Sequence, residues 1–336
     1  MTTVELRLPP VGASKEAPMN TIDTPLTLNV ARRQEATSDV VILELATPDG
    51  TELPKWSAGA HIDLHLKDGL TRQYSLCGDP DDRSRWRIAV LREPNSRGGS
   101  EYVHTSVLEQ TDLTVSHPRN HFELLPAARY IFIAGGIGIT PILAMLQSDT
   151  ARNAEWELHY GGRSRESMAF TDELATTYAD RVQLHPQDEV GLLDLDTILG
   201  EPRADTLIYC CGPGPLLDAV EERCKTWPEG ALRLERFAPK ESANLTQDGS
   251  FEVELRSSGV SVQVHAGQSI LDAVRGVGAS VAFSCEEGTC GTCEVSVLEG
   301  EVDHRDSILS PEEQADNDTM FICVSRAACP RLVLDL

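Results

Sequence analysis

The chain has 336 residues, 40% hydrophobic and 24% charged, with a formal net charge of −24. That length exceeds one ordinary core and fits two or three units of roughly 100–200 residues, while the acidity excludes a nucleic-acid binder. No apolar run approaches the ~20 residues that span a bilayer, and no charged start with an apolar core opens the chain, so the nine cysteines point to a reducing, cytoplasmic setting.

Residues 1–24 read as a flexible tail. The stretches TLNVARRQ, DVVILELATP, HIDLHLKDG, RQYSLCG and RWRIAVLRE then alternate in period two between turn signals, which predicts a small antiparallel β-barrel over residues 25–124. The basic run Arg83-Ser84-Arg85-Trp86-Arg87 alternates too, so it reads as an exposed strand face. Within the barrel, Arg72 can pair bidentately with a phosphate. Gly98, Gly99 and Ser100 offer donors at a helix start, and Tyr74 offers a flat face to a conjugated ring. An edge strand with an exposed arginine is the plain alternative.

From Tyr130 the pattern changes to strands alternating with helices: YIFIAGG, a helix opened by Thr140 as cap and Pro141, WELHYGG, a helix around FTDELATTYAD, RVQLHP, TLIYCCG and the helix PLLDAVEERCK. This predicts an α/β unit with a parallel sheet over residues 125–237. Two turns in it could carry ligand chemistry. In AGGIGITP, Gly135, Gly136 and Gly138 end a strand and open a helix at Pro141, presenting bare N–H groups to a phosphate. In CCGPGP, Cys211, Gly212 and Pro213 repeat that design on a second strand, and two such turns share the carboxyl edge where α/β sheets bind ligands. A structural turn and a small packing cysteine are the competing readings. No two histidines have H-E-x-x-H spacing, and Glu235 is either a site group or a solvated partner of Arg236.

Residues 238–249, polar and rich in turn formers, read as a linker. FEVELRSSG and VSVQVHAG then form a hairpin, SILDAVRGVG a helix, and MFICVS and RLVLDL closing strands of an α+β unit over residues 250–336. Its loop SCEEGTCGTCEV places Cys285, Cys290 and Cys293 at C-x4-C-x2-C, with Cys323 the distant fourth, the spacing of a plant-type [2Fe–2S] centre. Gly288 and Gly291 let the loop curl around the sulfurs. Zinc would favour a second C-x2–4-C knuckle, which is missing, and Cys329 before Pro330 reads as a bystander.

Taken in order, R-x-Y-S, S-R-G-G-S, G-G-I-G-I-T-P, Y-C-C-G-P and C-x4-C-x2-C…C resemble the phthalate dioxygenase reductase family, flavin and iron–sulfur reductases of Rieske oxygenases in the wider ferredoxin–NADP reductase-like group. The likeness covers about residues 27–336 and implies a flavin barrel, a nicotinamide domain and a β-grasp ferredoxin domain. It implies Arg72, Gln73, Tyr74 and Ser75 as flavin-site residues, Ala89, Val90 and Leu91 lining the flavin, and Arg97, Gly98, Gly99 and Ser100 around its phosphate. Thr140 would sit near the reactive edge with Cys211 on the hydride path, and Phe237 would cover the ring. FMN is favoured over FAD and NADH over NADPH, although Arg163 and Arg165 could hold a 2′-phosphate.

Hydride transfer moves two electrons and a [2Fe–2S] centre takes one, and a flavin between them resolves the mismatch. The expected route runs from NADH through FMN and the cluster to a Rieske oxygenase component, with no general acid or base required. A diiron hydroxylase or haem protein as acceptor, or a non-catalytic redox sensor, are the alternatives. Residues 251–336 hold fifteen acidic and five basic side chains, a net of −10, which would guide docking to a basic partner face.

Overall fold

The structure, a computed structural model, describes residues 24–94, 98–240 and 249–336. The expected tail up to residue 23, Arg97 and most of the expected linker lie outside the described residues.

Strands β1 (Leu26–Thr37), β2 (Val40–Ala46), β3 (His61–His65), β4 (Thr71–Ser75), β5 (Trp86–Leu91) and β6 (Asp112–Val115), with helix α1 (Gly99–Ser106) before β6, form the first unit. The sheet order is β4-β3-β6-β1-β2-β5, every pairing antiparallel. A bridge between Leu76 and Ile88 and the bond from Cys77 N to Arg87 O, 2.8 Å, join β4 to β5 and close the barrel. Period-two alternation sends Val30, Leu43, Ile62, Leu64, Trp86, Ile88 and Val90 inward, all fully buried. The sixth strand, the four-residue DLTV, is too short to stand out as a sequence pattern.

The second unit runs β7 (Arg129–Gly135), α2 (Ile139–Gln147), α3 (Asp149–Arg152), β8 (Glu155–Gly162), α4 (Thr171–Tyr178), β9 (Val182–Pro186), α5 (Gln187–Val190), α6 (Leu195–Leu199), β10 (Thr206–Cys211), α7 (Gly214–Arg223) and β11 (Leu232–Glu235). Its sheet has the order β11-β10-β7-β8-β9, parallel throughout. In β7 the aromatic Tyr130 and Phe132 enter one core and Ile131 and Ile133 the other, as a strand covered on both faces requires. One expectation needs correcting: Thr140 does not cap α2. A short 3-10 turn over Gly136–Gly138 precedes the helix, Gly138 is its cap residue, and the Thr140 hydroxyl donates back to Ile137 O at 2.9 Å.

The third unit contains β12 (Phe251–Leu255), β13 (Val260–Val264), α8 (Ile270–Gly276), β14 (Glu294–Glu299), β15 (Val302–Asp303), α9 (Pro311–Asp316), β16 (Thr319–Phe321), β17 (Arg326–Ala327) and β18 (Arg331–Leu334). Its main sheet is mixed, in the order β13-β12-β18-β14-β16, with β12 and β18 parallel and the other pairs antiparallel. Ile270, Leu271 and Val274 of α8 pack onto it, giving a β-grasp. MFICVS is not one strand: β16 stops at Phe321, whose carbonyl accepts from Val324 N and Ser325 N. That turn swings Cys323 out of the sheet.

Barrel and parallel sheet share one core, in which Ala89, Phe122 and Leu124 pack with Tyr130, Phe132 and Tyr209. Two buried phenols pin the connecting segment. Tyr209 OH accepts from Leu125 N and donates to Glu123 O, both at 2.8 Å. Tyr130 OH accepts from Ala127 N and donates to Leu125 O, also at 2.8 Å. Arg87 adds a third tie, bonding Cys77 O and both carboxylate oxygens of Glu173 on α4.

The turns after β7 and β10 touch through glycines. A Cβ on Gly138 would lie 2.2 Å from Cys211 O, whereas one on Gly214 would meet nothing within 4 Å. Gly138→Ala should therefore cost about 1–3 kcal/mol through overpacking, and Gly214→Ala almost nothing. Thermal unfolding midpoints of the two variants and the parent check this; equal midpoints would refute the close approach.

Candidate functional site

β4 and β5 lie side by side at the barrel's closing seam and supply most of the expected flavin residues. Along β4 the residues alternate, so Arg72 and Tyr74 share a face and Gln73 and Ser75 the other. The Arg72 side chain runs under the start of α1: a Cβ on Gly99 would sit 2.6 Å from Arg72 Cγ. Its guanidinium thus accompanies a helix N-terminus, where Gly98 adopts φ +94 with open space beside it. A cation beside a helix N-terminus is the chemistry of a phosphate cradle. Ser100 is buried, and its hydroxyl accepts from Glu93 N at 3.1 Å, bracing the cradle against the end of β5. Tyr74 is partly buried on the barrel core, and burial pushes its phenol well above the usual tyrosine range.

Two expected lining residues face elsewhere. Val90 points into the barrel core and offers only its main chain, whose carbonyl bonds the His104 ring at 2.9 Å; Ala89 and Leu91 on either side face the parallel sheet. The Gln73 amide donates to Asp63 Oδ1 at 2.9 Å and to Ser284 Oγ at 2.7 Å, which turns it toward the cysteine loop. Ser75 and Thr140 are buried, and Phe237, 45% exposed, stands free beyond the end of β11.

Sheet order reverses beside β7 in the second unit, and the crevice at such a switch point is where open α/β sheets bind ligands. Strand register aligns Ala134 with Cys211 and Cys211 with Glu235 across that carboxyl edge. Gly135 and Gly212 press together: a Cβ on Gly212 would lie 3.0 Å from Gly135 Cα, and one on Gly135 2.7 Å from Pro213 Cδ. These glycines serve contact between the turns, while Gly136, at φ +55 with nothing nearby, stays open. Pro141 is buried in the first turn of α2. Cys211 Sγ lies 3.9 Å from Glu235 Oε2. Burial drives the Cys211 thiol far up, the Glu235 carboxyl adding to it, and burial raises Glu235 itself to about 8. Sequence reasoning left Glu235 ambiguous because its partner sits on the neighbouring strand, 24 residues away. Arg236 is the separate case: its guanidinium is clamped by Asp218 and Glu221 of α7 at 2.9 Å each.

In the third unit the loop after α8 carries Cys285, Cys290 and Cys293, and the turn after β16 brings up Cys323. Their thiols touch in sequence: Cys290 with Cys285, Cys285 with Cys323, and Cys323 with Cys293. None is in a disulfide. Among the described residues no three His, Cys, Asp or Glu are grouped to hold a single metal ion; a strip of four thiols suits a two-iron group. Donors surround it, with Glu287 N to Cys285 Sγ at 3.3 Å and a Cys290 Sγ–Thr292 Oγ1 contact of 3.2 Å, so the residues present fit such a cluster. Gly288 and Gly291 have φ +70 and +74, and side chains there would strike Val324 and His121. Cys329 turns away and bonds Arg331 O at 3.0 Å.

Because Glu235 is held protonated in the fold up to about pH 8, against an ordinary value of 4.5, the native state binds more protons than the unfolded chain between those values. The parent should lose stability as pH rises through that window, and Glu235→Gln should not. Thermal midpoints of the two should converge near pH 4.5 and separate toward pH 8, with the Gln variant higher. Parallel curves would show that Glu235 titrates normally.

Comparisons with known proteins agree with this layout. Residues 253–328 match the 2Fe-2S iron-sulfur cluster binding domain and residues 132–222 the oxidoreductase NAD-binding domain. A putative toluene-4-sulfonate monooxygenase system reductase subunit of Comamonas testosteroni is 43% identical over 318 residues, covering 94% of this chain and 99% of that protein. Among solved structures, an intact type IV self-sufficient cytochrome P450 monooxygenase superposes with a TM-score of 0.87 at 44% identity, covering 93% of this chain. This chain spans 41% of that larger protein. Phthalate dioxygenase reductase, a modular structure for electron transfer from pyridine nucleotides to [2Fe–2S], superposes with a TM-score of 0.68 at 36% identity, covering 93% of this chain and 98% of that one. With three such units in this order and 93% or more of its length matched by these relatives, the chain belongs to the phthalate dioxygenase reductase family of electron-transferring oxidoreductases.

Proposed function

We propose that this oxidoreductase draws electrons from NADH and delivers them, through FMN and a [2Fe–2S] cluster, to a Rieske-type oxygenase component. The observation that carries the reading is contiguity. The phosphate cradle, the Cys211–Glu235 crevice and the four thiols lie on units that touch one another, with a shared core on one side and the Gln73–Ser284 bond on the other. In this reading residues 25–124 bind FMN, 125–237 bind NADH and 250–336 hold the cluster, in a cytoplasmic protein whose described cysteines form no disulfide. No helix among the described residues is long and apolar enough to cross a membrane.

Placement and the family likeness support a role for each site residue. Arg72 with Gly98, Gly99 and Ser100, and Arg97 of the same segment, hold the flavin phosphate. Tyr74, Ser75, Ala89, the Val90 main chain and Leu91 line the ring, Thr140 closes its inner edge and Phe237 covers it. Gly135, Gly136, Gly138, Pro141, Gly212 and Pro213 shape the nicotinamide crevice, and Cys211 with Glu235 fix the ring's position and keep water out. Bound there, a flavin takes a hydride and releases electrons singly. Cys285, Cys290, Cys293 and Cys323 are the cluster ligands. NADH is favoured over NADPH by the state of Arg165, whose guanidinium is engaged by both Glu189 oxygens at 3.1 and 2.9 Å. A 2′-phosphate there would meet a carboxylate.

A second acceptor is favoured by one observation. The fused cytochrome P450 superposes better on this chain than the separate reductase does, so a haem protein is the alternative to a Rieske oxygenase.

Purified protein should reduce cytochrome c and ferricyanide with NADH and release FMN on extraction. Cys293→Ser should lose cytochrome c reduction and keep ferricyanide reduction; cluster-dependent transfer surviving in that variant would sink the ligand assignment. Parallel assays with a Rieske oxygenase and a haem monooxygenase then separate the two acceptors. Glu189→Gln should improve NADPH use over NADH about tenfold, the scale of one charged contact, in kcat/KM; an unchanged ratio would remove Glu189 from cofactor selection.

A further inference from the structure

The cysteine loop rests on the barrel through a small polar socket made by β3, β4 and the segment after β6. Asp63, 3% exposed, sits at its base and accepts from Arg119 Nη2 at 2.7 Å and Gln73 Nε2 at 2.9 Å. The same Gln73 nitrogen reaches across to Ser284 Oγ, immediately before Cys285. His61, 6% exposed, lies beside the Cys290 main chain. His121 closes the socket. Its ring lies edge-on to Phe321 at 6.3 Å and 85°, and so near Gly291 that a Cβ there would fall 2.0 Å from His121 Nε2. One imidazole therefore touches both peptide segments that carry thiols, the loop at Gly291 and the strand end at Phe321, two residues before Cys323.

We propose that His121, with the Gln73–Ser284 bond, is a positioning residue that seats the thiol loop on the flavin barrel and so sets the rate of electron passage between the two, without part in the reaction with NADH. This rests on the functional reading above. The step concerned exchanges one electron and no atoms, with NADH as the source. Misplacement by about 1 Å is enough to cost a large factor in rate, and the socket is the barrel's polar grip on this loop. Gly291 is glycine for two separable reasons: its φ of +74, which disfavours any side chain, and the room His121 takes.

That separation supplies the test. Reduction of ferricyanide by NADH reports the flavin site, reduction of cytochrome c reports passage through the cluster, and hydrogen exchange on the holoprotein reports seating directly. In His121→Ala, ferricyanide reduction should stay at the parent rate and cytochrome c reduction should fall about tenfold. Peptides covering residues 284–293 should exchange faster while the cluster's visible and EPR spectra stay unchanged. Gly291→Ala should fall further, and adding His121→Ala to it should cause no additional loss, because the two act through one contact. His121→Phe, which keeps an edge-on ring, should recover part of the rate. Losses that multiply in the double variant, a cytochrome c rate unchanged in His121→Ala, or equal falls with both acceptors would each overturn the proposal. A parent protein that reduces neither acceptor would instead overturn the functional reading.

Discussion

The rest of the structure depends on the apolar core shared by the barrel and the parallel sheet. Phe122 and Leu124, at the exit of the barrel, are buried against Tyr130, Phe132 and Tyr209 of the sheet, and the phenol oxygens of Tyr130 and Tyr209 satisfy the main chain of the segment between. Burying a connection requires such partners for every N–H and C=O it contains. The result is that β5 is held against the turn that follows β7. A site built for stacking two planar rings needs that rigidity.

The cluster-bearing unit is attached by different means. Its loop meets the barrel through Gln73, Asp63, His61 and His121 rather than through a common core, and its own apolar cluster contains only residues of the third unit. Apolar burial contributes stability in proportion to area, whereas polar pairs contribute little net energy and much geometry. The chain thus uses packing where hydride transfer needs a fixed distance. It uses oriented hydrogen bonds where a loop of thiols, shaped by left-handed residues Glu286, Gly288 and Gly291, must be held in register.

Some of this was legible in the chain. Alternation marked five of the six barrel strands, because a half-buried strand must place apolar residues on every second position. The five-residue apolar run at Tyr130 marked a strand covered on both faces. Other elements left weaker traces. β6 and β11 have four residues each, and β14 follows Cys293 directly, with Glu294 and Val295 inside the stretch that reads as the cysteine loop. MFICVS looked continuous because nothing local announces that the chain must bend to bring Cys323 to the other thiols. Thr140 and Pro141 carried a genuine helix-start signal, displaced because Gly136–Gly138 already begin a tighter turn.

Sequence by itself determined the three kinds of unit, the four thiols and the glycine turns, since periodicity, cysteine spacing and strand–glycine–helix order are local properties of a chain. Tertiary structure alone decided which side chains share a site. Cys211 gains Glu235, Gln73 bonds Ser284 of the third unit, Val90 turns inward, and Gly291 makes room for His121. Each of those outcomes depends on residues that are distant in the chain or on which face of a strand is buried, and the pattern of one segment carries no record of what folds against it.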